Sequence, residues 1–243
     1  VKPGTRFGVA LGAFCLLYLG VGGVRWMRLS RNGATLVATA QRFPSAYTFG
    51  EPSPGAIVVL GDSTALGVGA DRYEETLAYR VASEVASRRA VRRVVNLGVS
   101  GARTRDVVRD QLPRLPDGPI DFALVSVTAN DATHGTSPSD LRDDLVAIFK
   151  ALEARGVKRA VVTNTPNFRG TPALPWPVDV VFAGRARDLA STVAWVAARF
   201  PFVRVADLNG RGTLKPDEYA SDGFHPNAEG YRRWTRLVVG VIH

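Results

Sequence analysis

The sequence predicts a three-layer α/β fold, a parallel sheet with helices on both faces. Three observations carry this. Short β-rich apolar runs alternate with longer segments of helical period. The runs are almost continuously apolar, as strands buried on both faces are, rather than alternating. A chain of 243 residues, 46% hydrophobic and 22% charged, suits one such domain with a sizeable core and a short appendage.

The appendage comes first. Residues 7–24, FGVALGAFCLLYLGVGGV, carry no charge and reach the lower length limit of a membrane-spanning helix. The run is long for the core of a signal peptide, and the only Ala-x-Ala, at 38–40, lies far beyond it. Residues 1–31 are therefore expected to form an uncleaved single-pass anchor with basic flanks, holding the domain on the outer face of a bacterial membrane. Lys2 and Arg6 precede the run and Arg25, Arg28 and Arg31 follow it, so orientation is close to balanced. A start at Met27, the one methionine, would leave no anchor. Residues 32–55, with Pro44, Pro52, Pro54, Gly50 and Gly55, read as a helical stub and a loosely packed linker. The α/β domain then occupies 56–243.

Within the domain, strands are expected at 56–60, 93–97, 121–128, 159–163 and 202–206. Helices are expected at 75–90, 103–112, 138–155, 179–199 and 227–242. Ser137 is placed to cap the third of these, with Pro138 at its first position and Asp140 in its first turn. In the last, Tyr231, Trp234, Leu237, Val238, Val241 and Ile242 recur at helical spacing. Right-handed crossovers put all strand ends on one edge, where ligand chemistry in such sheets takes place.

The net charge of +9 is not a nucleic-acid footprint. Residues 1–42 hold six basic and no acidic residues, whereas 43–243 hold 25 basic and 22 acidic ones. The excess thus flanks the apolar run. Arg88, Arg89, Arg92 and Arg93 read as a solvated face. The single cysteine, Cys15, lies inside the apolar run, which removes disulfides and thiol chemistry from the domain.

The polar motifs fall where the strands end. The first strand closes in Gly61-Asp62-Ser63, which places a hydroxyl at the functional edge. The second ends in Asn96-Leu97-Gly98-Val99-Ser100-Gly101 and the third in Ala129-Asn130-Asp131, small and amide residues able to supply N–H donors to a developing oxyanion. Each alone also reads as a turn or a helix cap. Before the last helix stands Asp222-Gly223-Phe224-His225-Pro226-Asn227. A serine hydroxyl needs a base, histidine has the right affinity for a proton, and a carboxylate three residues away in a turn can orient its ring. Asp131-Ala132-Thr133-His134 repeats the Asp-x-x-His spacing, so spacing leaves two candidate pairs. His134 reads best as a surface residue. There is no HExxH or Gly-rich nucleotide fingerprint, so neither metal nor cofactor is expected.

These four blocks, in this order, resemble those of the SGNH/GDSL hydrolases, and their spacing is similar to that of bacterial lysophospholipase/thioesterase members. The resemblance covers about residues 56–242. It implies a flavodoxin-like sandwich with a five-stranded parallel sheet in the order 2-1-3-4-5, and hydrolysis of carboxylic esters on a lipid, an acylated glycan or a small metabolite. It also implies roles: Ser63 as nucleophile, His225 as base oriented by Asp222, and an oxyanion hole of the Ser63 and Gly101 N–H groups with the Asn130 side chain. Where the family's third block begins with glycine, this chain has Thr128, which is expected to narrow the substrate site or to shift Asn130. The proline-rich stretch 165–178 is expected to bring Phe168 and Trp176 to the acyl pocket. Acyl transfer, thioester hydrolysis and a non-catalytic binding role on the same scaffold are the alternatives. The last would have no need of the complete set of Ser63, Asp222, His225, Asn130 and Gly101 together.

Overall fold

A computed structural model describes residues 30–50, 54–88 and 93–242. Helix α1 runs through 30–40 and strand β1 spans Ala46–Thr48. Then follow β2 (Ala56–Gly61), α2 (Ser63–Leu66), α3 (Leu77–Arg88), β3 (Arg93–Asn96), α4 (Thr104–Asp106), β4 (Ile120–Ser126), α5 (Ala129–Thr133) and α6 (Pro138–Ala154). The chain ends with β5 (Ala160–Thr163), α7 (Val178–Ala197), β6 (Val203–Ala206) and α8 (Ala228–Val239).

The strands order as β1-β3-β2-β4-β5-β6. All neighbours are parallel except β1, which runs antiparallel to β3. The five expected strands thus keep the expected parallel order, and the sheet has a sixth. That strand lies in 32–55, read above as a linker. Its three residues sit among prolines and glycines and are too short to show a period. Long-range contacts make it: Tyr47 pairs with Val94, and its ring packs on Phe49, Tyr73 and Tyr79 at 4.8–5.9 Å between centroids.

Alternate residues of the central strands feed two cores. Val58, Leu60, Ala123 and Val125 face α6 and α7, with Leu145, Phe149, Leu189 and Val193. Ile57, Val59, Phe122 and Leu124 face α3 and α8, with Val81, Tyr231 and Trp234. This double burial explains the unbroken apolar runs. Ser137 caps α6 through the Asp140 N–H at 3.1 Å, and Asn227 caps α8 through Glu229 and Gly230. The helical pattern at 103–112 is realised as α4, a wider turn through Val107–Gln111 and a tight one at Leu112–Arg114. The apolar run 7–24 lies outside the described residues. Among the described residues, no helix is long and apolar enough to cross a membrane.

Candidate active site

β2 delivers Ser63 to the carboxyl edge of the sheet through a turn that only glycine can make. Gly61 has φ +145°, and a Cβ there would lie 1.8 Å from the Ser126 carbonyl oxygen. Gln111, buried, brackets the same residue: its Oε1 accepts from Gly61 N at 2.9 Å and its Nε2 donates to Gly61 O at 2.8 Å. Asp62 caps α2, its Oδ1 accepting from the N–H and hydroxyl of Thr64 at 2.8 and 2.7 Å. Burial pushes the Asp62 carboxyl up to about 6, against the pull of the Thr64 hydrogen bonds and of His225.

The turn before α8 brings the other two groups. Gly223, at φ +66°, lets the chain fold back so that Asp222 Oδ1 accepts from the N–H groups of Phe224 and His225 at 2.9 and 3.0 Å. Asp222 Oδ2 then lies 2.5 Å from His225 Nδ1, and His225 Nε2 lies 2.9 Å from Ser63 Oγ. Burial alone would raise Asp222. The His225 hydrogen bond and charge, with the two backbone N–H groups, outweigh it and hold the carboxyl below its ordinary range. The turn is braced from beneath: a Cβ on Gly69 would meet the Pro226 carbonyl at 2.2 Å, and the Tyr231 hydroxyl donates to Val68 O at 2.6 Å.

The remaining predicted residues divide. Gly101 is exposed at φ +85°, with open space above it. Asn130 Nδ2 donates to Ala102 O at 3.1 Å, which orients the amide and leaves its second N–H available for another acceptor. Phe168 is buried and lines a cavity with Ser63, Leu214, Phe224, His225 and Trp234. Its ring stacks on Phe224 at 5.8 Å.

Two expectations are corrected. Trp176 is 73% exposed and does not line this cavity. The loop is tied to the site at Ala173, whose N–H donates to Gly223 O at 2.9 Å, and Trp176 lies beyond that tie, where α7 begins. Thr128 is fully buried, so it forms part of the wall behind the site rather than its lining. Its φ of +103° explains why glycine suits this position, and its Oγ1 has no hydrogen-bond partner.

Asp131 does not turn to His134. Its two oxygens take the Thr104 N–H and hydroxyl at 3.1 and 2.9 Å, and His134 Nδ1 lies 3.0 Å from Asn130 O. Gln111 was not singled out in the sequence, since it lies fifty residues from the Gly61 it touches, and neither was Leu214, which stands in the loop before the last block and belongs to no motif. Phe224 sat inside the last block and could have been read from it. Among the described residues, no group of three or more His, Cys, Asp or Glu side chains is arranged to hold a metal.

A GDSL-like esterase of Mycobacterium tuberculosis is 29% identical over 183 residues, which cover 72% of this chain and 57% of that protein's length. Among solved structures, a lipase/acylhydrolase from Enterococcus faecalis superposes with a TM-score of 0.56 at 24% identity, covering 76% of this chain and 94% of the other. The esterase EstA from Pseudoalteromonas sp. gives 0.57 at 18% identity, covering 77% and 96%. These two likenesses show the shared fold. Residues 59–233 match the GDSL-like lipase/acylhydrolase family, and the chain belongs to it.

Proposed function

We propose that the chain is a carboxylic-ester hydrolase working through an acyl-enzyme on Ser63. The observation that carries this reading is the continuous hydrogen-bonded line from Ser63 Oγ through His225 to Asp222. Ser63 Oγ attacks the acyl carbon while His225 Nε2 takes its proton. The tetrahedral intermediate collapses, its C–O bond to the alcohol breaks, and His225 returns the proton to the departing alcohol. A water molecule, deprotonated by the same nitrogen, then attacks the acyl carbon; the bond to Ser63 Oγ breaks, His225 returns the proton to Oγ, and the acid leaves. Asp222 stays ionised throughout, holds the ring and stabilises the imidazolium. The N–H groups of Ser63 and Gly101 and the free N–H of Asn130 serve the oxyanion. Phe168, Phe224, Leu214 and Trp234 supply an apolar wall for the acyl group.

Turnover of p-nitrophenyl esters over a range of acyl lengths tests the reading, together with fluorophosphonate labelling. Wild type is expected to be labelled and active, and Ser63→Ala to lose both. Labelling or turnover that survives in Ser63→Ala overturns it. The reading of 7–24 as an anchor is carried into this proposal: the full chain should resist carbonate extraction from membranes, and extraction with the soluble fraction would remove the anchor from it.

A further inference from the structure

Helix α1 lies outside the residues that match the family, yet it reaches the proposed acid of the site. Asn32 Nδ2 donates to the Ser221 carbonyl at 2.8 Å, one residue before Asp222. On the next residue, Gly33, a Cβ would stand 3.7 Å from Asp222 Oδ2 and 3.9 Å from its Cβ, ordinary contact distances. The Cβ side of Gly33 therefore faces the oxygen that lies against His225 Nδ1. The opposite side of the carboxyl is closed by its own turn, through the Phe224 and His225 N–H groups. The result is an aspartate 4% exposed at the rim of an open site.

Excluding water matters here. The attraction between a carboxylate and an imidazolium grows as the local dielectric falls, and it is largest when the imidazolium forms during the reaction. A carboxyl in the same turn with one face open to solvent would orient the ring but stabilise its charge less. We propose that α1 is a positioning element of the active site: Gly33 shields the Asp222 carboxyl from water, and Asn32 pins the loop that carries it. The proposal rests on the Ser63–His225–Asp222 reading. The N-terminal segment, in this view, completes the site as well as leading into the domain. The other groups acting electrostatically on this pair are Asp62, ahead of α2, and the buried Tyr231 hydroxyl on α8.

The test uses the full chain with three substitutions at one position, Gly33→Asn, Gly33→Asp and Gly33→Lys, and with Asn32→Ala. If Gly33 lies over Asp222, the sign of an added charge must register on the His225 proton. Relative to Gly33→Asn, the acidic limb of the kcat/KM–pH profile should move to higher pH in Gly33→Asp and to lower pH in Gly33→Lys. Shifts of about 0.3 to 1 pH unit in opposite directions are expected for a half-shielded charge. A helix that does not sit beside Asp222 would move neither limb with the sign of the charge. Asn32→Ala should lower kcat several-fold with KM little changed, and Asn32→Gln should recover part of the loss. Superimposed profiles, or shifts in the same direction for both charges, overturn the proposal. Measuring Ser63→Ala alongside separates the two readings: residual turnover there defeats the catalytic assignment, while a dead Ser63→Ala with superimposed Gly33 profiles defeats only the role of α1.

Discussion

Two stretches of this chain place a histidine three residues after an aspartate, and the fold uses them in opposite ways. At 222–225 the backbone turns sharply at Gly223, and the carboxyl folds back over its own turn to meet the ring. At 131–134 the spacing falls on α5. The aspartate there points inward, fully buried, and binds Thr104 at the start of α4, while His134 is exposed and bonded to the backbone of Asn130. Their electrostatics differ in sign as well. Partners hold Asp222 below its ordinary range despite burial, whereas burial pushes Asp131 above it. Equal spacing therefore says little until the local backbone and the depth of each side chain are known.

The strongest way to break the comparison is to remove each histidine. His225→Ala should lower kcat/KM on the order of 10³-fold or more, because base and nucleophile act as a unit. His134→Ala should stay within about threefold of wild type, as surface substitutions away from the reacting groups do. A near-normal His225→Ala beside an inactive His134→Ala would reverse the assignment. Next in size is Asp222→Asn, which keeps the turn but presents the wrong hydrogen-bonding group to Nδ1. A loss on the order of 10³–10⁴ in kcat is expected, with KM nearly unchanged. Wild-type kcat in this variant would reduce Asp222 to a structural residue.

Asp131→Ala should act on stability first. It leaves the buried Thr104 N–H without its acceptor, while the hydroxyl keeps Asp144 Oδ2 at 2.9 Å, and a destabilisation of about 1–3 kcal/mol is expected by denaturant unfolding. An unchanged midpoint would show that Thr104 finds another partner.

The pH dependence of stability sharpens the contrast further. Asp222, depressed in the folded state, contributes stability that is present above its ordinary value of about 4 and is lost as pH falls through the folded value. Asp131, raised in the folded state, contributes stability that is present below about 4 and is lost as pH rises through its folded value. Asp222→Asn should flatten the acid side of a Tm–pH curve, and Asp131→Asn should flatten the decline on the way up from pH 4. Parallel curves for wild type and Asp131→Asn would place the Asp131 carboxyl in a less costly environment than its burial implies.

The parts legible in advance share one property: their signal is local. Apolar runs such as 56–60 and 121–128 mark strands buried on both faces, and Ser137 sits next to the helix it caps. The residues of the four blocks stand at strand ends or before the last helix because a parallel sheet collects those ends on one edge. From local pattern and this edge rule, the sequence by itself determined the five parallel strands, their covering helices and the polar motifs at the sheet edge, and the resemblance implied which of their residues meet at Ser63. Tertiary structure alone decided the rest. Strand β1 exists because β3 has an open edge and an aromatic cluster to receive it. Gln111 reaches Gly61 from fifty residues away, and Asn32 reaches Ser221 from the other end of the chain. Trp176 points out from the proline-rich stretch, and Thr128, beside the third block, is shut in. It also chose between the two Asp-x-x-His pairs, since burial and backbone direction are properties of the packed chain, and no three-residue spacing encodes them.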